Sequence, residues 1–255
     1  MKKIKLLIEY DGTAYHGWQI QKDNTTIQGV LEEILSKITN ERTRVISASR
    51  TDAGVHALCQ VVAFKTQTNL SPDIIKRALN SNLPADIRII ESTEVDISFH
   101  PQRDALKKSY VYFIANQPYS SPFLYRYTWH IPYRLNISLM KDASGLLIGK
   151  KDFSSFMGSG SNVKNRVREI YNIEIERSKK AGLIGFSIYG NFIKIRIEAN
   201  GFLKHMVRNI VGTLVDVGRG KISIEKMQEI ISSKDRRLAG RTAPAHALFL
   251  EKIIY

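Results

Sequence analysis

The 255-residue sequence predicts an α+β protein made of two domains, each an antiparallel sheet with its helices on one face, in ferredoxin-like or RRM-like order. Three observations lead there. The first hundred residues alternate between strand and helix periodicity in the order strand, helix, strand, strand, helix, strand. The second half returns to a similar mixture of elements, although no residue-level repeat links the halves. The length supports two hydrophobic cores, so neither disulfides nor metals are needed as staples.

Each element has its own signal. Lys2–Tyr10 is a run rich in Ile and Leu and reads as a strand. Ile27, Val30, Leu31, Ile34, Leu35 and Ile38 recur at helical spacing behind Thr25 or Thr26 as cap. Strands Thr43–Ala48 and Leu58–Thr66 follow, the second with Val62 and Phe64 alternating with Val61 and Ala63. Ser71 and Pro72 open a second helix through Leu79, because proline suits the first helical position, and Asp86–Val95 closes the set. In the second half Ser109–Ala115, Val167–Arg177, Leu183–Tyr189 and Phe192–Glu198 read as strands, and Ser138–Ile148, Leu203–Val217 and Ile224–Ile231 as helices. Asn116–Pro132 and Gly158–Asn165 are loops by their Pro, Gly and Ser content. The expected domains are residues 1–105 and 106–255.

Charge separates the halves. Lys and Arg number 38 against 24 Asp and Glu, a net +14. Residues 1–105 hold 13 of each sign, so the remainder carries 25 basic against 11 acidic and the whole excess. A polyanion neutralised by such a surface releases its counterions, which makes nucleic acid the expected partner, lying in a basic cleft between the domains. No apolar run approaches the 18 or so residues of a membrane span, and no basic amphipathic helix with an aromatic face appears, so no membrane partner is expected. The single cysteine, Cys59, cannot pair within the chain, and no cleavable apolar leader follows Met1-Lys2-Lys3; a cytoplasmic location is expected.

Several chemistries are excluded. Gly145 to Lys150 has one residue too few between its glycines for a phosphate-binding Walker loop and no Ser or Thr after the Lys. The dinucleotide fingerprint is missing. His56 and Cys59 have the spacing of a metal pair but no second thiol, so no metal site is expected. Gly158-Ser159-Gly160 lacks the strand and helix that a nucleophile elbow requires.

What remains is Ala48-Ser49-Arg50-Thr51-Asp52-Ala53-Gly54-Val55-His56, a polar turn between two apolar strands. It has two readings. An Arg two residues from an Asp favours the ionised carboxylate, which can then serve as nucleophile or base. Thr-Asp-Ala-Gly is equally ordinary turn chemistry. Trp18, in the run Glu9 to Gln19, suits either RNA contact or a core. Lys107 and Lys108 precede a strand on which Tyr110 and Tyr112 share a face, placing phosphate contacts beside stacking rings. Leu203, Met206, Val207, Ile210 and Val211 define the core side of a helix, and Arg208 lies near that side, where a guanidinium requires an acid partner; Asp52 is the candidate.

Taken together, Glu9-Tyr10-Asp11-Gly12, Gly17-Trp18-Gln19, Gln28-Gly29, Arg50-Thr51-Asp52-Ala53-Gly54-Val55-His56, Asn82-Leu83-Pro84, the Tyr110 and Tyr112 strand and Met206 to Gly212 stand in an order that resembles the bacterial tRNA pseudouridine synthase A family along almost the whole chain. The resemblance implies isomerisation of uridine to pseudouridine at positions 38, 39 and 40 of the tRNA anticodon arm. It also implies a homodimer and a reaction without cofactor or metal. Asp52 becomes the essential carboxylate. Tyr110 contacts the uracil, Arg208 pairs with Asp52, and Arg50 helps displace the flipped nucleotide. Against the family pattern, Pro101-Gln102 stands where Ala-Arg is common, Ala247 where Gly is usual, and Lys150 or Lys151 where His often precedes Asp-Phe. The rival reading is a non-catalytic RNA-binding protein with tandem RRM-like domains, although no aromatic RNP1 string is present.

Overall fold

The computed structural model describes residues 1–161, 163–183 and 186–255. Asn162 of the expected loop Gly158–Asn165, and Ile184 and Gly185 of the expected strand Leu183–Tyr189, lie outside the described residues. The class is α+β. Its elements in chain order are β1 (Lys2–Tyr10), α1 (Ile27–Thr39), β2 (Ile46–Ser47), β3 (His56–Thr66), α2 (Pro72–Asn82), β4 (Ile87–Val95), β5 (Lys107–Ala115), β6 (Trp129–His130), α3 (Ile137–Gly145), β7 (Gly149–Asp152), β8 (Val167–Leu183), β9 (Phe186–Ala199), α4 (Met206–Gly218), α5 (Ile224–Ser233) and β10 (Leu248–Ile254). The chain divides into two compact units, Met1–Leu106 with Phe249–Tyr255, and Lys107–Leu248.

In the first unit β1 pairs antiparallel with β4 on one side and β3 on the other. The free edge of β3 is shared: β2 pairs antiparallel at Val62 and Ala63, and β10 pairs parallel at His56 and Ala57. Ile4, Leu6 and Ile8 of β1 are fully buried, as alternation along a strand with one apolar face demands. Val61 to Phe64 of β3 are buried without alternation, the mark of a strand covered on both faces. Helix α1 contributes Ile27, Leu31 and Leu35, and α2 contributes Ile75 and Leu79, each side chain worth about 1.5–3 kcal/mol once buried. Both helices start on side-chain caps, Thr26 accepting from Gly29 N–H and Ser71 from Ile74 N–H.

In the second unit β9 lies antiparallel between β5 and β8, β7 extends the sheet beyond β8, and β6 runs parallel to β5. Helix α4 is buried nearly all round; Arg208 and Asp216 are its residues that are not.

The structure departs from the sequence reading at several points. Phe186–Tyr189 and Phe192–Glu198, expected on separate strands, fall on one strand, β9, that runs through Gly190 and Asn191, while Leu183 ends β8. Gly190 sits within this strand with the end of the Gln117 side chain packed against it, Oε1 accepting from Asn191 N–H at 3.2 Å. Strands β6, β7 and β10 were not expected, and β2 is two residues long where six were expected. Helix α4 begins at Met206 rather than Leu203, because His205 adopts φ 58° and ends any helix before it. The last seven residues, expected in the second domain, complete the first unit instead.

Candidate active site

Residues 48–55 join β2 to β3 and carry Arg50 and Asp52. The loop is anchored at both ends. Ala48 N–H donates to Val61 O at 2.8 Å. The fully buried Gln60 then brackets Ser49, its Nε2 donating to Ser49 O at 2.7 Å and its Oε1 accepting from Ser49 N–H at 3.3 Å. At the far end Val55 N–H donates to Asp52 O at 3.1 Å, Gly54 supplies φ 76°, and Gly54 N–H donates to Tyr15 O. Thr51 is buried between these anchors, its hydroxyl 2.8 Å from Tyr10 Oη and its carbonyl accepting from Trp18 N–H at 3.0 Å.

The loop rests on the segment that follows β1, and two glycines permit the contact. A Cβ on Gly12 would stand 2.1 Å from Val55 O. Gly17, at φ 90°, would place one 2.8 Å from Thr51 O and 3.0 Å from Ala53 N. Trp18 is part of the core, with 1% of its surface exposed and its ring 6.1 Å from that of Tyr10. His56, as deeply buried, ties three elements together. Its Nδ1 lies 3.1 Å from Gly12 N and 3.0 Å from Asp11 Oδ1, and its ring stacks on Phe249 of β10 at 4.6 Å. A neutral ring accepts from Gly12, and a ring protonated at Nδ1 donates to Asp11. Among the described residues no group of three or more His, Cys, Asp and Glu is arranged to hold a metal.

Beside the loop is a cavity of about 220 Å³, with Trp18, Gln19, Gln28, Ile46, Arg50 and Gln102 among its walls. Gln102, one of the departures from the family pattern, thus stands with Arg50 around one space.

The second unit holds Tyr110 and Arg208. Tyr110 is buried on β5 with its ring edge-on to Phe202, centroids 5.1 Å apart. Tyr112 donates its hydroxyl to Pro244 O at 2.9 Å; burial raises its pKa, and the Arg208 and Arg241 charges oppose that rise. Arg208 and Ala243 exchange two bonds, Arg208 Nε donating to Ala243 O at 2.8 Å and Ala243 N–H to Arg208 O at 3.1 Å. The neighbouring Asn209, fully buried, donates to Phe156 O at 2.7 Å and accepts from Thr242 Oγ1 and an Arg236 nitrogen. A Cβ on Gly212 would lie 1.7 Å from Arg241 O. The Met206–Gly212 motif is therefore a clamp that holds residues 241–243 along α4. Lys107 lies over the Tyr171 ring at 5.2 Å, whereas Lys108 is buried and cannot serve as an exposed phosphate contact. Ala247 is fully buried, and Lys150 and Lys151 lie on β7.

Asp52 and Arg50 therefore share one loop of the first unit, and Tyr110 and Arg208 belong to the second. The positioning roles of Gln60, Gly17 and Asn209 escaped the sequence reading. Gln60 carried a signal, as an amide inside the apolar strand run 57–64.

The family described as tRNA pseudouridine synthase matches residues 6–102 and 143–255, which include Arg50, Asp52 and Arg208 and leave Tyr110 outside. The tRNA pseudouridine synthase A of Thermodesulfovibrio yellowstonii is 47% identical over 255 residues, covering 100% of both chains. That of Thermoanaerobacter sp. (strain X514) is 47% identical with the same coverage, and that of Pseudothermotoga lettingae is 41% identical over 250 residues, 98% of each chain. The chain belongs to the tRNA pseudouridine synthase family and is an RNA-modifying isomerase.

Proposed function

We propose that this protein converts uridine to pseudouridine at positions 38, 39 and 40 in the anticodon arm of tRNA, with the Asp52 carboxylate as its essential group. The observation that carries this reading is the fixed presentation of Asp52. Its loop is held by Gln60, Tyr10, Tyr15 and Trp18 from buried elements, so the carboxylate needs little reorganisation to meet a substrate.

The reaction breaks the bond from N1 of uracil to C1′ of ribose, turns the base, and joins C5 to C1′; the C5 proton is lost and N1 gains one. Cleavage at an anomeric carbon calls for a carboxylate close to C1′, as in retaining glycosidases. A second acid to protonate a leaving group is dispensable because the base is retained and recombined. In this reading Arg208 pairs with Asp52, Tyr110 contacts the uracil, and Arg50 takes part in displacing the flipped nucleotide, whose extraction costs a few kcal/mol. The tRNA follows a basic cleft between two ferredoxin-like domains of a homodimer acting in the cytoplasm. The order β4-β1-β3 with β2 on the far edge of β3 supports the split βαβ reading of the first unit.

The test is to treat an unmodified tRNA transcript with the protein and map pseudouridine by carbodiimide adducts that stop reverse transcription. Stops at positions 38 to 40 are expected. Stops confined to another arm refute the assignment to the anticodon arm.

A further inference from the structure

Gln19 and Gln102, which line the cavity beside the Asp52 loop, have no part in the reaction just described, and Arg50 is shared with it. Resting on that proposed function, we propose that it is a subsite for the base of a nucleotide adjacent to the target uridine, read along its hydrogen-bonding edge by Gln19, Gln102 and Arg50.

Size, chemistry and position agree. At about 220 Å³ the space is smaller than the roughly 300 Å³ at which pockets for drug-sized molecules begin, and it suits one base rather than a whole nucleotide. The walls are mainly polar, as an edge-reading site requires, with Val45 and the 43% exposed Ile46 adding a small apolar patch. The side chains of Gln19, Gln102 and Arg50 make no hydrogen bond or ion pair with any described residue. Gln28 differs, since it donates to Glu32 at 2.8 Å and accepts from Ile20 N–H, so it serves as wall.

A pair of amides offers both donors and acceptors, which matches the mixed edge of a nucleobase. A phosphate accepts only, and an amide oxygen facing it would be unfavourable. Arg50 is two residues from Asp52, so their Cα atoms are no more than about 7 Å apart. A base held in the cavity is therefore a neighbour in sequence of the one presented to Asp52.

The experiment measures tRNA affinity by filter binding, and pseudouridine formation in parallel, for the wild-type protein and for Gln19→Leu/Gln102→Leu. Substrates are anticodon-arm transcripts carrying an abasic nucleotide at each of the two positions on either side of the target. At one position removal of the base should weaken wild-type binding about ten-fold. The double variant should bind the intact transcript about ten-fold more weakly and lose nothing further at that position, while the other abasic sites affect both proteins alike. Equal losses in the two proteins at every position overturn the subsite. Gln102→Glu, which keeps the shape and removes the donor, gives the same comparison if the double variant folds poorly. Coupling in affinity without any pseudouridine would support the subsite and refute the enzymatic reading, so the two fail separately.

Discussion

Lys108 shows how one buried side chain sets a pH dependence. It precedes Tyr110 on β5, and burial, with the Arg168 charge beside it, lowers its pKa from 10.5 to about 8. At pH 7 the amine is charged in both folded and unfolded chains, so folding must bury a cation. Between pH 8 and 10.5 the unfolded chain binds more protons than the folded one, and stability contributed by this group rises with pH. Lys108→Met should therefore raise the unfolding free energy from a urea titration at pH 7, by up to about 3 kcal/mol, and the gain should shrink at pH 9.5. A gain independent of pH would show that the charge is not the cause. Gln60 is the contrasting case, a buried amide whose two bonds fix Ser49 and give Arg50 and Asp52 a defined starting point.

Helix α4 sets two effects of one residue type against each other. Alanine at position 212 gains about 1 kcal/mol of helix propensity over glycine. Its Cβ would also stand 1.7 Å from the backbone oxygen of Arg241, which Arg208 and Asn209 hold through residues 242 and 243. The clash wins: Gly212→Ala should lower the thermal midpoint, by the equivalent of about 1–3 kcal/mol, in a thermal melt of the whole protein. An unchanged or higher midpoint would mean that residues 241–243 are free to move. Elements of this kind differ in how far the sequence reveals them. Helices α1 and α2 were legible because cap, period and buried face agree at Thr26 and Ser71. Strand β10 was not, because its partner is His56–Ala57, almost 200 residues earlier, and no local pattern encodes such a pairing. The continuity of β9 through residues 190 and 191 was not legible either, because the strand is held by pairing with the distant β5. The Asp52 loop was legible as a polar turn, but only the motif order favoured the proposed active-site reading over ordinary turn chemistry.

The charge of the whole molecule belongs to its partner. With 25 basic and 11 acidic residues after position 105, tRNA binding should release counterions. The logarithm of affinity should fall linearly with the logarithm of salt concentration, losing at least about 100-fold between 50 and 200 mM. A flat titration would assign the excess charge to solubility alone. Affinity of that kind does not discriminate an enzyme from a binding protein, whereas chemistry at one carboxylate does. The decisive measurement is tritium release from C5-labelled uridine in unmodified tRNA by Asp52→Asn, with tRNA affinity measured on the same preparation. Release at background with affinity retained is the predicted result. Turnover within ten-fold of wild type would contradict the assignment of Asp52.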